Sequence, residues 1–409
     1  MHHHRTAPAR LFTALAVTGL MLSGCGANAT PAGSTTTGSE AAASASTVTE
    51  AVARIVTTYD GGIKVLDGES FKVLGDFPME GFNRVNAAGD GRHVMISTSE
   101  GFKVLDTGVW TAGGKHYAQE PALTDINFPG SKPGHVVRHN GKTVLFSDGT
   151  GEVTIFASDD LADGQPKTET HKAAEAHHGV AVELANGELV MTLGNDKARP
   201  GIVVFDKDGK EITRNEDCTG VHGEAAAADE AVVIGCQTGV LIYSNGAITK
   251  LESPTEYGRI GNQAGSEESA VTLGDYKQEK DAELERPEQI SLINTKTKQL
   301  TLVDLGTSYS FRSLARGPHG EALVLGTDGA LHVIDPDTAA VTKSIPVVAP
   351  WEEPLEWQEA RPTIFVNDHT AYITDPSTKT IHAVDIEAGK IISSGTLDIT
   401  PNELTGVTG

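Results

Sequence analysis

Short runs of alternating apolar and polar residues recur along the chain from about residue 50 onward. Each unit consists of a strand, a turn, a second strand that ends in an acidic or polar residue, and a third strand. The second strands are GGIKVLD (61–67), EGFKVLD (100–106), GEVTIFA (151–157), GIVVFDK (201–207), GVLIYSN (239–245), QISLINT (289–295), GALHVID (329–335) and TIHAVDI (380–386). These eight copies, spaced by roughly 40 to 50 residues, have the period of propeller blades rather than that of helical solenoids.

The repeat predicts an all-β fold, an eight-bladed β-propeller over residues 50–409. Seven blades are the alternative, if the copies at the two ends merge. A single meander cannot bury both of its faces, whereas blades stacked around an axis cover one another. The 45 glycines suit a chain with many tight turns. We expect the two ends of the chain to close the ring by sharing a blade.

The first 25 residues have the pattern of a lipoprotein signal peptide. Arg5 and Arg10 precede the apolar run LFTALAVTGLML (11–22), which is too short to span a bilayer as a mature helix. The run ends in LSGC, and Cys25 resembles the lipidated cysteine of a bacterial lipobox. An ordinary secretion signal, or a signal retained as an anchor, is the alternative. Residues 26–49 are mostly Ala, Ser, Thr, Gly and Asn and predict a flexible tether.

The chain is strongly acidic, with 32 Lys and Arg against 55 Asp and Glu and a formal net charge of −23. A surface of that sign disfavours nucleic acid and anionic lipid headgroups as partners. We therefore expect no nucleic-acid partner, and attachment to the membrane through a lipid anchor only. We also expect a monomer.

Two cysteines remain beyond Cys25. Because an extracytoplasmic location is oxidising, Cys218 and Cys236 are predicted to form a disulfide. Ligation of a metal by the two thiolates is the alternative.

Histidines open the strands that are expected to line the channel in three successive blades. The first strand of each propeller blade faces the axis, so residues at the starts of these strands converge. The segments PGHVVRHN (133–140), AHHGVAVEL (176–184) and GVHGEAAAAD (220–229) bring together His135, His177 or His178, and His222. Glu224 follows His222 by two residues and shares its strand face.

Three imidazoles with a carboxylate or a water match the tetrahedral preference of zinc. The alternative is a metal-free polar channel in which the histidines make hydrogen bonds. Alternation along the strand lets one residue of the adjacent pair face the channel, and we select His178, with His177 in reserve. A fourth candidate is His116, in the connection GGKHYAQEP (113–121), which could fold over the channel mouth.

These segments resemble the AztD-type zinc metallochaperones, extracytoplasmic β-propellers that hand zinc to the substrate-binding protein of a zinc ABC transporter. The resemblance rests on KHYAQEPAL, KPGHVVRHNGKTVLFSDGTG (132–151), HHGVAVEL and CTGVHGEA (218–225), and is most specific between residues 113 and 236. It implies the zinc ligands His116, His135, His178 and His222, and a partner of that transporter class. Family members often carry two histidines in the HY loop, where this chain has one.

Two other functions stay open. A metal-dependent hydrolase or lyase is the first, because zinc with an open position activates water and Glu224 could serve as the base. The sequence contains no nucleophile elbow or cofactor motif, and we expect ligand exchange rather than catalysis. A metal-free interaction scaffold is the second.

Two connections between strands also stand out. WEEPLEWQEARP (351–362) is expected to pack its tryptophans on the propeller, with docking of a partner as the alternative. The charged segment YKQEKDAELERPE (276–288) is expected to be solvated. DGTGEV (148–153) and the other Asp-Gly pairs predict turns rather than a phosphate-binding loop.

Overall fold

The computed structural model describes residues 45–409. Within that range the chain is built mainly from β-strands, with 3₁₀ turns at Ser158–Asp163 and Ala228–Glu230. The predicted signal peptide (1–25), with Cys25, and most of the predicted tether (26–49) lie outside the described residues. In the described part of the chain, no helix is long and apolar enough to cross a membrane.

The strands of the described chain fall into three groups along the sequence. The first group is β1 (Ser46–Val48), β2 (Ala53–Tyr59), β3 (Gly62–Asp67), β4 (Val73–Pro78), β5 (Arg84–Ala87), β6 (His93–Thr98), β7 (Gly101–Asp106), β8 (Val109–Ala112), β9 (Lys115–Ala118), β10 (Ala122–Pro129), β11 (Pro133–His139) and β12 (Lys142–Ser147). The second is β13 (Glu152–Ala157), β14 (Glu169–Lys172), β15 (Ala181–Glu183), β16 (Leu189–Leu193), β17 (Gly201–Phe205), β18 (Glu211–Asn215), β19 (His222–Ala227), β20 (Ala231–Cys236), β21 (Thr238–Ser244), β22 (Ala247–Glu252), β23 (Gly258–Arg259) and β24 (Gln263–Ala264). The third is β25 (Val271–Asp275), β26 (Gln289–Asn294), β27 (Gln299–Asp304), β28 (Tyr309–Arg316), β29 (Ala322–Gly326), β30 (Ala330–Asp335), β31 (Ala340–Pro346), β32 (Thr363–Asn367), β33 (Thr370–Asp375), β34 (Thr380–Asp385), β35 (Lys390–Thr396) and β36 (Leu404–Thr408).

Antiparallel four-stranded sheets dominate the described chain and give it a β-propeller-like fold. Their strand orders are β36-β2-β3-β4, β5-β6-β7-β10, β11 to β14, β15 to β18, β19 to β22, β24 to β27, β28 to β31 and β32 to β35, and β23 pairs in parallel with β21. The repeated segments of the sequence are the third strands of these sheets. In the sequence repeat these segments are numbered as second strands. They are the third strands of their sheets because each sheet has an additional inner strand outside the repeat unit.

The two ends of the described chain share one sheet, as the sequence predicts. β36 pairs antiparallel with β2, from Ala53 opposite Thr408 to Thr57 opposite Leu404. β36 also lies beside β5 and β32, the first strands of the two flanking sheets. The last strand of the chain therefore completes the sheet that holds the first long strand.

A separate three-stranded sheet contains β1, β9 and β8. β1 falls within the segment predicted as a tether, and it pairs with β9 so that Val48 is opposite His116. Ser46–Val48, at the end of the segment predicted as a tether, therefore form a strand.

Buried apolar side chains fill the spaces between neighbouring sheets. One cluster joins Phe146 on β12, Val190 on β16 and Ile234 on β20, each about 1% exposed, so a single core extends across three sheets. Burial of each such side chain contributes roughly 1.5–3 kcal/mol. The packing sits on the sheet faces, and it leaves the starts of the first strands free to line the axis.

The predicted disulfide between Cys218 and Cys236 is confirmed, with Cα atoms 5.6 Å apart. Both sulfurs are used in this bond, so thiolate ligation of a metal does not apply. The bond ties the loop that precedes β19 to the end of β20, and it therefore holds the segment that leads into His222.

Candidate metal centre

Three histidines from three successive sheets meet near the starts of the inner strands. His135 is in β11, His222 opens β19, and His178 lies in the loop that precedes β15. One nitrogen from each ring lies within 4.8 Å of the other two. The ring centroids are 5.2 Å apart for His135 and His178, 5.7 Å for His135 and His222, and 4.9 Å for His178 and His222. We call these three residues the axial cluster.

Irregular strand pairing orients the side chains of His135 and His222. The register between β11 and β12 shifts between Pro133 and Val136, and that between β19 and β20 shifts between His222 and Glu224. Such bulges redirect side chains at the rims of sheets. Gly223 has a φ of +70°, and a Cβ there would lie only 2.3 Å from the carbonyl oxygen of Gly261. Glycine is required at this point, because any other residue would displace a carbonyl that contacts His222.

The rings of His178 and His222 face each other with their Nε2 atoms 3.0 Å apart. Nδ1 of His222 donates to the carbonyl of Gly261 at 2.5 Å, and Nδ1 of His178 donates to the carboxylate of Asp148 at 2.6 Å. Because a carbonyl and a carboxylate only accept, these contacts place the ring protons on Nδ1. In the neutral rings both Nε2 atoms then carry lone pairs, and a cation between them removes their repulsion.

His135 contributes the third ring. Its Nδ1 lies 3.3 Å from Oε2 of Glu224, which leaves Nε2 as its metal-binding atom. Glu224, predicted as a ligand, thus contacts the ring of a candidate ligand and lies outside the group of three. A carboxylate in this position holds the ring and raises its basicity. The donor set is three imidazoles with one open position, which fits zinc.

The protonation of His222 favours metal binding. Burial, reinforced by the neighbouring ring of His135, holds the pKa of His222 well below its ordinary value. The hydrogen bond to Gly261 acts in the opposite direction and does not offset burial. His222 is therefore neutral at neutral pH, as a metal ligand must be.

Two cavities adjoin the axial cluster. The first, of about 340 Å³, is lined by the starts of inner strands and includes Arg84, Gln263, Arg312 and Glu403. The second, which we call the vestibule, has a volume of about 410 Å³ and reaches all three histidines. The side chain of His178 is 40% exposed, against 18% for His135. A molecule that enters the vestibule therefore meets His178 most readily.

Two connections between strands, segments 276–288 and 351–362, line the vestibule. Segment 276–288 contributes Leu284, and segment 351–362 contributes Leu355 and Trp357. Trp351 packs down as expected, and its Nε1 donates to the carbonyl of Gly326 at 3.0 Å. Trp357, the second tryptophan of segment 351–362, packs down only in part, since it is 51% exposed.

His177, held in reserve as a ligand, is part of the interior. It is 4% exposed, and its two ring nitrogens lie 3.0 Å from the carbonyl of Glu175 and 3.0 Å from the hydroxyl of Thr192. Its ring also packs edge-on against Phe146, with the centroids 5.2 Å apart. Of the adjacent pair, only His178 reaches the axial cluster.

His116 is not near the axial cluster in this structure. It lies in β9, and its Nδ1 is 2.7 Å from the hydroxyl of Thr111 on β8. Trp110 of the same small sheet stacks with Arg92, in the turn that follows the inner strand β5. That turn is at the far end of the inner strands from the axial cluster. The expectation that His116 folds over the channel mouth is therefore not met.

Asp148 is the residue of the site that the sequence does not identify. The segment that begins with Asp148 is predicted to be a turn, and Thr150 and Gly151 do turn back to Ser147. Its carboxylate also holds the ring of His178, a residue 30 positions away. Gly134 makes room, because a Cβ there would lie 2.2 Å from Oδ1 of Asp148. Only the fold brings these residues together, so no local pattern marks them.

No protein-family profile matches the chain. A curated relative, the zinc chaperone AztD of Citrobacter koseri, is 27% identical over 299 residues, which cover 71% of this chain and 69% of the relative. The resemblance to AztD-type zinc chaperones is confirmed.

Solved structures of AztD share the fold of this chain. The structure of apo AztD from Citrobacter koseri matches with a TM-score of 0.77 and 24% identity, over 88% of this chain and 98% of that one. A second AztD structure from Citrobacter koseri has the same TM-score and identity and is covered to 99%. The dihydro-heme d1 dehydrogenase NirN matches with a TM-score of 0.55 and 12% identity, over 87% of this chain and 74% of that one. Because proteins of different function share the architecture, function must be argued from the site.

Proposed function

We propose that this protein is an extracytoplasmic metallochaperone that binds zinc and transfers it to the substrate-binding protein of a zinc ABC transporter. The observation that carries the proposal is the axial cluster, in which two Nε2 atoms face each other at 3.0 Å. The sequence similarity to a zinc chaperone supports the same conclusion.

The spacing of the donors suits zinc. Zinc–nitrogen bonds of about 2.0–2.1 Å at tetrahedral angles separate two ligand nitrogens by roughly 3.3 Å. The Nε2 atoms of His178 and His222 need to separate by only a few tenths of an ångström from their 3.0 Å distance. His135 supplies the third bond, and water or a partner side chain takes the fourth position.

Transfer proceeds by exchange of ligands, without catalysis. The open fourth position admits a ligand of the receiving protein through the vestibule. His178 is then the first histidine to be replaced, because its side chain is more exposed than that of His135. His222, whose Nδ1 is held by a backbone carbonyl, keeps its bond longest.

The setting of the protein follows from other features. The N-terminal signal pattern and the disulfide support an oxidising, extracytoplasmic location. We propose lipidation at Cys25, which leaves a monomer tethered to the membrane. We also propose that each four-stranded sheet is one blade, which makes the ring eight-bladed.

A direct transfer assay tests the function. Zinc-loaded protein is mixed with a zinc-free solute receptor of a zinc transporter, or with a small chelator of matched affinity. We expect faster movement of zinc to the receptor than to the chelator, and no tight binding in the variant H135A/H178A/H222A. The variant H171A is the matched control, because His171 lies in β14, outside the axial cluster, and contacts Glu169. Equal rates to both acceptors would refute transfer, and tight zinc in the triple variant would refute the site.

A further inference from the structure

A second group of histidine and carboxylate side chains lies on turns of the last two sheets. His319 is between β28 and β29, His369 between β32 and β33, and Glu387 between β34 and β35. One ligand atom of each lies within 4.8 Å of the other two. Two of these turns follow the inner strands β28 and β32, which line a cavity with His135 and His222 near their starts, so the turn cluster lies at the opposite ends of those strands.

The three side chains converge on one point. Nε2 of His319 lies 3.0 Å from Oε1 of Glu387, and Nδ1 of His369 lies 3.1 Å from the same oxygen. The two imidazole centroids are 5.4 Å apart. Two nitrogens and one oxygen therefore surround a space that one metal ion can occupy.

The outer contacts hold the rings in this arrangement. Nε2 of His369 lies 3.5 Å from a carboxylate oxygen of Asp368, so the nitrogen that does not face the centre has an acidic neighbour. The backbone N–H of His319 donates to Glu321 at 3.0 Å, which fixes the turn. Metal-bound histidines commonly have such carboxylate or backbone partners on their outer side.

A simple ion pair explains only part of this geometry. A hydrogen bond between His319 and Glu387 accounts for one contact. It does not orient Nδ1 of His369, which is shielded from solvent and lies 3.1 Å from the same oxygen, without a well-aligned hydrogen bond within the described residues. A cation among the three groups gives every inward atom a partner.

We propose that His319, His369 and Glu387 form a second zinc site, which does not depend on zinc binding at the axial cluster. Two imidazoles and one carboxylate are a known donor set for zinc, with water completing the coordination. The three side chains are 63%, 45% and 58% exposed, so water and chelators reach the ion directly. Zinc at the turn cluster is therefore held more weakly and exchanges faster than at the axial cluster.

Metal stoichiometry of the full chain tests this site, with zinc alone as the probe. Titration calorimetry should show two equivalents in the wild-type protein and one in H319A/H369A. The axial variant H135A/H178A/H222A should retain one weaker equivalent. E387Q keeps the size of the side chain and removes its charge, and should weaken this equivalent at least tenfold without a change in Tm. H171A removes a partly exposed histidine that contacts Glu169, and should keep both equivalents.

The outcomes separate this site from the axial one. Two equivalents in H319A/H369A, or none in the axial variant, would overturn the second site. If the wild-type protein binds one equivalent that survives in the axial variant and disappears in H319A/H369A, the turn cluster stands and the axial cluster fails. Cobalt absorption spectra of the two variants add a second readout, since each site should give its own d–d bands.

Discussion

The axial cluster and the turn cluster use the same imidazole donors in different surroundings. In the axial cluster every ring has a separate acceptor, and burial lowers the pKa of His222 well below its ordinary value. In the turn cluster the hydrogen bond to Glu387 raises the pKa of the exposed His319. The acidic group that should bind the metal there thus also stabilises the proton that competes with it. Burial and separate orienting groups, rather than the kind of ligand, should therefore decide which site retains zinc.

The largest expected effect follows from replacing both His178 and His222, whose Nε2 atoms face each other. The variant H178A/H222A should lose tight zinc binding by more than the roughly 100-fold that loss of an orienting group costs. H319A/H369A should leave the tight equivalent unchanged and remove only the weak one. Competition with a chromophoric zinc chelator measures the affinity of the tight and of the weak equivalent.

The neighbouring histidine provides the control for this pair. H177A should keep tight zinc, because His177 contacts Thr192 and Phe146 rather than the axial cluster. It should lower the free energy of unfolding by about 1–3 kcal/mol, since a buried hydrogen-bonding group loses its partner. Loss of tight zinc in H177A with an unchanged Tm would reverse the assignment of the adjacent pair.

The next effect concerns the groups that hold the rings. D148N should weaken axial zinc about 10- to 100-fold, because the carboxylate fixes Nδ1 of His178 as a donor and raises the basicity of Nε2. D368N should have a smaller effect on the turn cluster, where the outer contact is 3.5 Å long and exposed. D208N, a charge change at an exposed turn beside Lys207, should alter neither site. A D148N variant with wild-type affinity would show that the charge of Asp148 does not support zinc binding by His178.

Acidification should empty the two sites in order. The raised pKa of His319 means that this ring takes up a proton at a higher pH than a free imidazole, so protons displace zinc there first. The lowered pKa of His222 keeps that ring neutral to lower pH, so the axial cluster should retain zinc further into the acid range. Each unit of pKa difference corresponds to about tenfold in competition by protons. The order is checked by measuring zinc release against pH in H319A/H369A and in H135A/H178A/H222A, each of which keeps one site. Release from the axial cluster at a higher pH than from the turn cluster would contradict the prediction.

The sequence predicts the features that depend on its repeat. Because the third strands recur at a regular spacing, the repeat places His135, His178 and His222 near the starts of the inner strands of successive sheets. The spacing also predicts the shared sheet at the two ends, where Ala53 pairs with Thr408.

Features that depend on contacts between turns cannot be predicted in this way. Asp148 lies in a turn of ordinary composition and reaches His178 only because β11 to β14 packs against the next sheet. His319, His369 and Glu387 likewise lie in separate turns, and no spacing along the chain brings them together. His116 is a contrasting case. The family resemblance places it at the site, but pairing with Thr111 and Val48 holds it in the small sheet.

The smallest expected effect is that of H116A on the axial cluster. Distant residues without shared partners usually act independently to within about 0.3–0.5 kcal/mol, so the change in tight zinc affinity should be about twofold or less. His116 contacts Thr111 at 2.7 Å in a sheet near the far ends of the inner strands, and within residues 45–409 none of its contacts leads to His178 or His222. The measurement is the same chelator competition, with K115A on the same strand as the control for general effects on β9. If H116A loses affinity as H178A does while K115A does not, the small sheet must rearrange when zinc binds. The axial cluster would then recruit a fourth histidine from the hairpin, and its open fourth position would be closed in the loaded protein.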